Sequence, residues 1–426
     1  MMRRPVRPAA LVAAGWLCFG ACTPPEPSGT PGASPAASSV PTSESVAPAA
    51  APPGLQYLPF VPQMAAREAL PSPLPPQPTG PGRGYPPPGP GGYPGPAGPD
   101  LATAATGGSD PAPCAGIVDR DGERLVLAGE PVVFFGVNAH NVLDPEFPEP
   151  RAAEILAALA DRGVNTVRVW FFAQHDLERF ERLLDLGRTL GLRYVVVLGD
   201  NVFKGRDWFF GRDDEKKYRP HLERTVSRFA GRPEILAWEV INEPNCGDGG
   251  FDDDCLKTIK DWVTMASRMI KALDACHPVS SGMIGDGNFD TEREVYKQIH
   301  KRDSIDLVSV HRPSGDPPAD ELELAEDIAR PIYYGEVYDR AYGTDCEPLD
   351  GGAELVRRAG RIQEDLADAL DDGADGYLLW DLSAGLVTQT NGRPRDYCGE
   401  FGYALDDPVW ARLAAAGLPP RVPWAR

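Results

Sequence analysis

The chain has 426 residues, 42% of them hydrophobic, with 46 prolines, 45 glycines and a formal net charge of −20. That apolar content suffices for one large folded domain, or two ordinary ones, once non-globular parts are set aside. The acidic balance argues against nucleic acid and anionic lipid surfaces as partners and favours neutral or cationic ones.

Residues 1–22, MMRRPVRPAALVAAGWLCFGAC, carry three arginines, an apolar run from about Ala9 to Phe19, and small residues before a cysteine. The pattern predicts a secretion signal, too short for a stable membrane span. Its ending, FGAC, resembles a bacterial lipoprotein signal, so Cys22 is the expected lipidation site and the only expected link to a membrane. Cleavage and release without lipid, and an uncleaved apolar anchor, are the alternatives.

Residues 23–113 are dominated by Pro, Gly, Ala and Ser, as in PPPGPGGYPGPAGP. Such a segment buries too little apolar surface to offset its ordering entropy, which predicts a disordered linker. The three arginines of the signal offset the net −3 of the linker, so residues 114–426 carry the whole −20. These last residues are the expected folded domain, exported to the cell surface or outer membrane as a lipoprotein, or secreted.

The folded region opens with IVDRDGERLVLAGEPVVFFGVN, apolar and polar residues alternating around Asp121-Gly122, a hairpin signal. A rhythm of short apolar runs and helix-length segments follows. The runs predict strands over Val132–Val137, Thr166–Trp170, Tyr194–Leu198, Ile235–Ile241, Val279–Gly282, Asp306–Val310, Ile332–Gly335 and Gly376–Trp380. Between them, RAAEILAALADRG places Ile155, Leu156 and Leu159 on one face, and LERFERLLDLGRTLG and WVTMASRMIKALDA behave likewise. Eight such repeats predict an α/β fold of the (β/α)₈ barrel type, preceded by the hairpin.

Of the eight cysteines, six lie from Cys114 onward. An even number in an exported chain predicts up to three disulfides. Cys246 and Cys255, flanking CGDGGFDDDC, form the best local pair; the partners among Cys114, Cys276, Cys346 and Cys398 stay open, although Cys346 with Cys398 would tie two late loops together. No CxxC or HxxxH spacing marks a zinc site, and no metal or organic cofactor is expected.

Barrels of this kind carry chemistry where strands end at their C-terminal edge. In chain order the strand ends present Asn138 and His140, then Arg168 and Trp170, Asp200 and Asn201, Asn242 and Glu243, His311, Glu336, and Trp380. Glu243 and Glu336 stand out because each ends a strongly apolar strand. Two carboxylates across a sugar-sized pocket are what glycoside hydrolysis requires, one protonated to donate to the leaving oxygen and one ionised to attack or to activate water. Arg168 and His311 supply donors that keep one carboxylate charged. Asn242 stands where a sugar hydroxyl would bind, and Pro244 is expected to hold Glu243 in extended backbone.

The set GVN, NTVRVW, WEVINEP, VSVH, YYGE and YLLW, in this order, resembles glycoside hydrolase family 5, the retaining (β/α)₈ glycosidases; NTVRVWFF and AWEVINEPN look most like its endo-β-1,4-mannanase branch. The resemblance implies Glu243 as acid/base, Glu336 as nucleophile, Arg168 and His311 as their support, and Trp380 as the platform under the reacting sugar. It implies a monomeric enzyme acting on a β-linked mannan- or glucan-type carbohydrate, without cofactor. Where the family usually has a tyrosine two residues after the strand-six histidine, this chain has Pro313. Tyr334, Tyr338 and Arg312 are the nearby candidates to replace it, and Tyr338 joins the expected site. The competing expectation is a surface protein that binds carbohydrate on a degenerate barrel without cleaving it.

Overall fold

The computed structural model describes residues 114–200, 211, 213–244, 253–285, 292–342, 348–382, 387–388, 394–395 and 401–417, all within one compact unit, Asp100–Arg426. The expected signal, Cys22, the linker, Asn201, Cys246, Cys346 and Cys398 lie outside the described residues.

Three short antiparallel strands come first: β1 (Asp119–Asp121), β2 (Arg124–Leu127) and β3 (Glu130–Pro131). The hairpin turn falls at Asp121-Gly122 as the sequence predicts, with Asp121 opposite Arg124. The barrel strands follow: β4 (Phe134–Asn138), β5 (Thr166–Trp170), β6 (Arg193–Val197), β7 (Ile235–Glu239), β8 (Val279–Ser280), β9 (Val308–Pro313), β10 (Ile332–Tyr338) and β11 (Gly376–Leu379). They pair in parallel in the order β8-β7-β6-β5-β4-β11-β10-β9. A bridge from Ser280 to Leu307 and the bond from Asp306 N–H to Val279 O, 2.8 Å, close the ring between β8 and β9. The eight-stranded barrel expected from the sequence is therefore present, with strand ends shifted by up to three residues. The first barrel strand starts at Phe134 rather than Val132, because Pro131 still pairs with β2.

Strands buried on both faces need continuous apolar runs, and VVFFGV, YVVVL and ILAWEVI supply them. Their outer residues pack on the helices. In α1 (Glu149–Asp161) Ile155, Leu156 and Leu159 are buried, and in α2 (Leu177–Leu190) Phe180, Leu183 and Leu184 are. Helix α2 starts where Asp176 accepts from the Glu178 N–H at 2.9 Å and ends at Gly191, φ +76, the left-handed stop that glycine takes without steric cost. The remaining helices are α3 (Arg219–Phe229), α4 (Asp253–Leu273), α5 (Glu292–His300), α6 (Ala319–Asp327), α7 (Ala353–Asp371) and α8 (Pro408–Ala416). Among the described residues no helix is long and apolar enough to cross a membrane.

A second apolar cluster fills the barrel at the N-terminal ends of its strands: Phe134, Val195, Leu236, Ala237, Leu307, Tyr333 and Leu378 meet Val118, Leu125 and Leu127 of the hairpin. The hairpin thus stoppers that end. A disulfide from Cys114 to Cys276, bridging 162 positions, fastens the start of the folded region to the approach to β8. Cys255 is also disulfide-bonded. With the N-terminal end of the barrel interior filled, its open mouth is the opposite rim.

Candidate active site

Strand β5 carries one charged residue, Arg168, whose side chain is fully buried. A guanidinium there must be paired. Its Nη1 donates to Glu336 Oε1 at 2.7 Å and to Asn138 Oδ1 at 2.8 Å, and its Nη2 to Asn242 Oδ1 at 2.7 Å and to Glu239 Oε1. Partners from three other strands, β4, β7 and β10, converge on one side chain.

Asn138 also donates from Nδ2 to Gly335 O, 2.9 Å, and Leu379 O, 3.0 Å, so it braces β4 against β10 and β11 while aiming Arg168. Asn242 is 4% exposed and joins Arg168 to Asp200, its Nδ2 reaching Asp200 Oδ2 at 3.4 Å. Asp200 also accepts from Trp170 Nε1 at 3.0 Å.

Glu243 follows β7 at φ +43, in the left-handed region. The extended backbone expected from Pro244 is overturned: the Glu243 N–H bonds Gly282 O at 2.9 Å, and the chain must turn sharply to make that bond. Gly282 permits it, since a Cβ there would lie 1.7 Å from Ile241 O. The turn leaves the Glu243 side chain 27% exposed at the rim, whereas Glu336, inside β10, is 7% exposed.

His311, from β9, joins the two carboxylates. Its Nδ1 lies 2.7 Å from Glu243 Oε1 and 3.6 Å from Glu336 Oε1. Gly335 makes room for the ring, for a Cβ there would come within 2.9 Å of Nε2. One oxygen of each glutamate and a ring nitrogen lie within 4.8 Å of one another. Such a trio has metal-ligand composition, but His311 Nδ1 is already hydrogen-bonded to Glu243 and the Arg168 cation is paired with Glu336, so both carboxylates have partners within the protein.

The three groups titrate together. Burial pushes the Glu336 carboxyl up to about 7, against the opposing charges of His311 and Arg168. Burial also opposes charge on Glu243, but its hydrogen bond to His311 and the charges of His311 and Arg168 prevail and hold it below the ordinary range. Burial lowers His311, yet Glu336 and Glu243 outweigh it and raise the imidazole.

An aromatic wall flanks this centre. His140 stacks on Trp380 with ring centroids 5.9 Å apart, and Trp170 meets both edge-on. His140 Nδ1 lies 3.1 Å from Asp381 Oδ2, and burial raises the Asp381 carboxyl.

Tyr338 sits directly opposite Pro313 across the β9–β10 ladder. Its side chain lines one cavity with His311, and burial, then the charges of Glu243 and Glu336, push its hydroxyl up to about 12. The other two candidates point elsewhere. Tyr334 is buried beneath the Arg312 guanidinium, 4.4 Å from its ring, and Arg312 is paired with Asp365 at 2.9 Å. The structure therefore brings together Glu243, Glu336, Arg168, Asn242, His311, Asn138 and Tyr338, with Trp170, His140 and Trp380 as a wall beside them; Asn201 is outside the described residues.

Sequence reasoning missed Glu239 and Asp381. Glu239 had a signal: ILAWEVI and TVRVW are both buried on two faces, and each contains one lone charge of opposite sign. Lone charges in such strands must find each other. Asp381 had none, because its partner His140 is far away in the chain.

A closed (β/α)₈ barrel bearing two carboxylates and an arginine at the C-terminal rim defines the class, barrels with a paired-carboxylate site. Comparison with known proteins narrows it. The model described as "GH family 5 beta-mannosidase-like" matches residues 213–334. A relative named "Probable mannan endo-1,4-beta-mannosidase C", from Aspergillus terreus, is 28% identical over 234 residues, which cover 42% of this chain and 57% of the relative. "Mannan endo-1,4-beta-mannosidase 1" of Oryza sativa subsp. japonica is 25% identical over 217 residues, 40% of this chain and 49% of that one. The chain thus spans about half the length of these relatives. Among solved structures, the endo-1,4-beta-mannanase of Rhizomucor miehei superposes with a TM-score of 0.56 at 16% identity, covering 70% of this chain and 96% of that one, which speaks to the fold. The chain resembles glycoside hydrolase family 5, as its motif order implies.

Proposed function

We propose that this chain is an exported retaining glycosidase acting on β-1,4-linked mannan. The observation that carries the reading is the carboxylate pair. One oxygen of Glu243 lies within 4.8 Å of one of Glu336, which accords better with the roughly 5–5.5 Å between carboxyls of a retaining site than with the about 6.5–9.5 Å of an inverting one.

In this reading Glu336 attacks the anomeric carbon as the glycosidic C–O bond breaks, and the leaving oxygen takes its electron pair and a proton from Glu243. Water then gives a proton back to Glu243 and attacks the same carbon, releasing Glu336. The free site holds its proton nearer Glu336, whose burial favours the neutral form. A sugar covering the exposed edge of Glu243 would strip its water and shift the proton toward it, while Arg168 favours charge on Glu336. The His311 ring, closer to Glu243 than to Glu336, lies on that path.

The aromatic wall of Trp380, Trp170 and His140 suits the apolar face of a sugar ring. A folded region carrying −20 suits a neutral polysaccharide better than an acidic one. The Cys114–Cys276 disulfide accords with an oxidising compartment, and the signal-like start with lipidation at Cys22.

The purified chain should release oligosaccharides from β-1,4-mannan, and proton NMR of the first product should show the β-anomer. Release of the α-anomer first would exclude retention. Absence of hydrolysis on mannan, glucan and aryl glycosides, with mannan binding intact, would replace this reading with a carbohydrate-binding one. Mass spectrometry of the mature N-terminus decides the lipid.

A further inference from the structure

Arg168 serves two carboxylates, and it grips Glu239 with more donors than Glu336. Glu239 receives Nη2 at one oxygen and Nε, at 3.4 Å, at the other, a fork that fixes the guanidinium plane. Glu336 receives Nη1 alone. Arg168 and Glu239 are both fully buried, so neither charge is relieved by water. Glu239 is held in turn: the Tyr333 hydroxyl donates to Oε2, and Ser280 Oγ lies 2.8 Å from that hydroxyl and 3.5 Å from the same carboxylate oxygen.

A buried carboxylate facing an undivided guanidinium would be strongly acidic, and so a poor nucleophile. With Glu239 present, the arginine's charge is already balanced, and Glu336 feels its direction more than its field. We propose that Glu239 is a positioning residue that divides the charge of Arg168, letting the arginine aim Glu336 without draining its basicity. The proposal rests on the reading of Glu336 as nucleophile. The groups facing Glu336 are Arg168 from β5, Glu243 after β7, His311 from β9 and Tyr338 on its own strand; those facing Glu239 are Arg168, Ser280 and Tyr333.

The test uses the full chain labelled with ¹³C at the glutamate δ-carbon, with the Glu336 signal identified by its loss in Glu336→Gln. Glu239→Gln is nearly isosteric, and the Tyr333 and Ser280 hydroxyls can turn to accept from the new amide. In this variant the Glu336 midpoint should fall by about 1 pH unit or more, and the acid limb of kcat/KM should move with it while the plateau drops. An unmoved midpoint in the folded variant overturns the proposal. Should Glu239→Gln not fold, Tyr333→Phe keeps both charges and removes one donor from Glu239, tightening its hold on Arg168; the Glu336 midpoint should then rise, and a fall or no change overturns the proposal. The titration needs no turnover, so a midpoint that moves as expected in a chain that hydrolyses nothing would defeat the glycosidase reading and leave the charge division standing.

Discussion

The two ends of the barrel divide its tasks. At the C-terminal rim, Arg168 and Glu239 are buried charges, Glu336 is a buried carboxyl and Glu243 sits in left-handed backbone. At the N-terminal end, Leu125, Leu127 and Val118 of the hairpin fill the space between Phe134, Leu236 and Leu378, and the disulfide closes a long loop. Buried charge and backbone strain each cost free energy, whereas apolar packing and cross-linking supply it. The lesson is that the stoppered end stabilises a fold whose other end is free to carry costly groups.

The contrast is sharpest where a rim change should abolish turnover without loosening the fold. Glu336→Gln should lower kcat by about 10⁴-fold or more while its thermal midpoint stays near that of the parent; retained turnover in steady-state assays would remove Glu336 as nucleophile. At the opposite end the expectation inverts. Replacing both Cys114 and Cys276 with serine should cost about 5 kcal/mol by loop entropy, somewhat less if the unfolded chain keeps structure. Urea unfolding should show this loss, and molecules that remain folded should turn over normally.

Buried carboxylates lie at the stoppered end as well, Asp375 among them. Asp375 accepts from Arg124 Nε at 2.8 Å through Oδ1, its Oδ2 has no hydrogen-bond partner among the described residues, and burial pushes it up to about 7 from an ordinary 3.8. The folded state then binds a proton that the unfolded state has lost between those two values, so this group's contribution falls as pH rises from about 4 to 7. Asp375→Asn should therefore be on the order of 2–3 kcal/mol more stable than the parent at pH 8, after allowance for the half-exposed Arg124, and no more stable at pH 4. Equal differences at both pH values, read by denaturant unfolding, would show that Asp375 is not neutral when buried.

The smallest expected effect returns to the rim. Glu243→Gly and Glu243→Ala both lose the bond to His311 and with it turnover, but only glycine takes φ +43 without strain, so the glycine variant should be the more stable of the two by roughly 1 kcal/mol or less. A glycine variant with a lower thermal midpoint than the alanine variant would mean that the turn at Glu243 is not strained.

Much of this molecule follows from local chemistry. The hairpin at Asp121-Gly122, the alternation of apolar runs with helical faces, and the placement of Glu243 just beyond β7 and of Glu336 in the last half of β10 are visible in order along the chain, because backbone period and turn residues act over a few positions. Strand limits were less legible: Pro131 pairs with the hairpin instead of entering the barrel, a choice made by its neighbour β2 and not by its own residue type.

What only tertiary structure decided is which charges meet. Glu239 looks like a stray acid in ILAWEVI until β5 brings Arg168 beside it, and Asp381 has no evident purpose until His140 arrives from β4. Tyr338, two residues past Glu336, gains its place opposite Pro313 only from the β9–β10 register. By itself the sequence determined the barrel and the two glutamates at its rim, since burial and period are properties of short segments. The pairing of Arg168, the turn at Glu243 and the placing of His311 between two carboxylates needed eight strands closed into a ring, because electrostatic partnership depends on distances across the barrel that no local stretch contains.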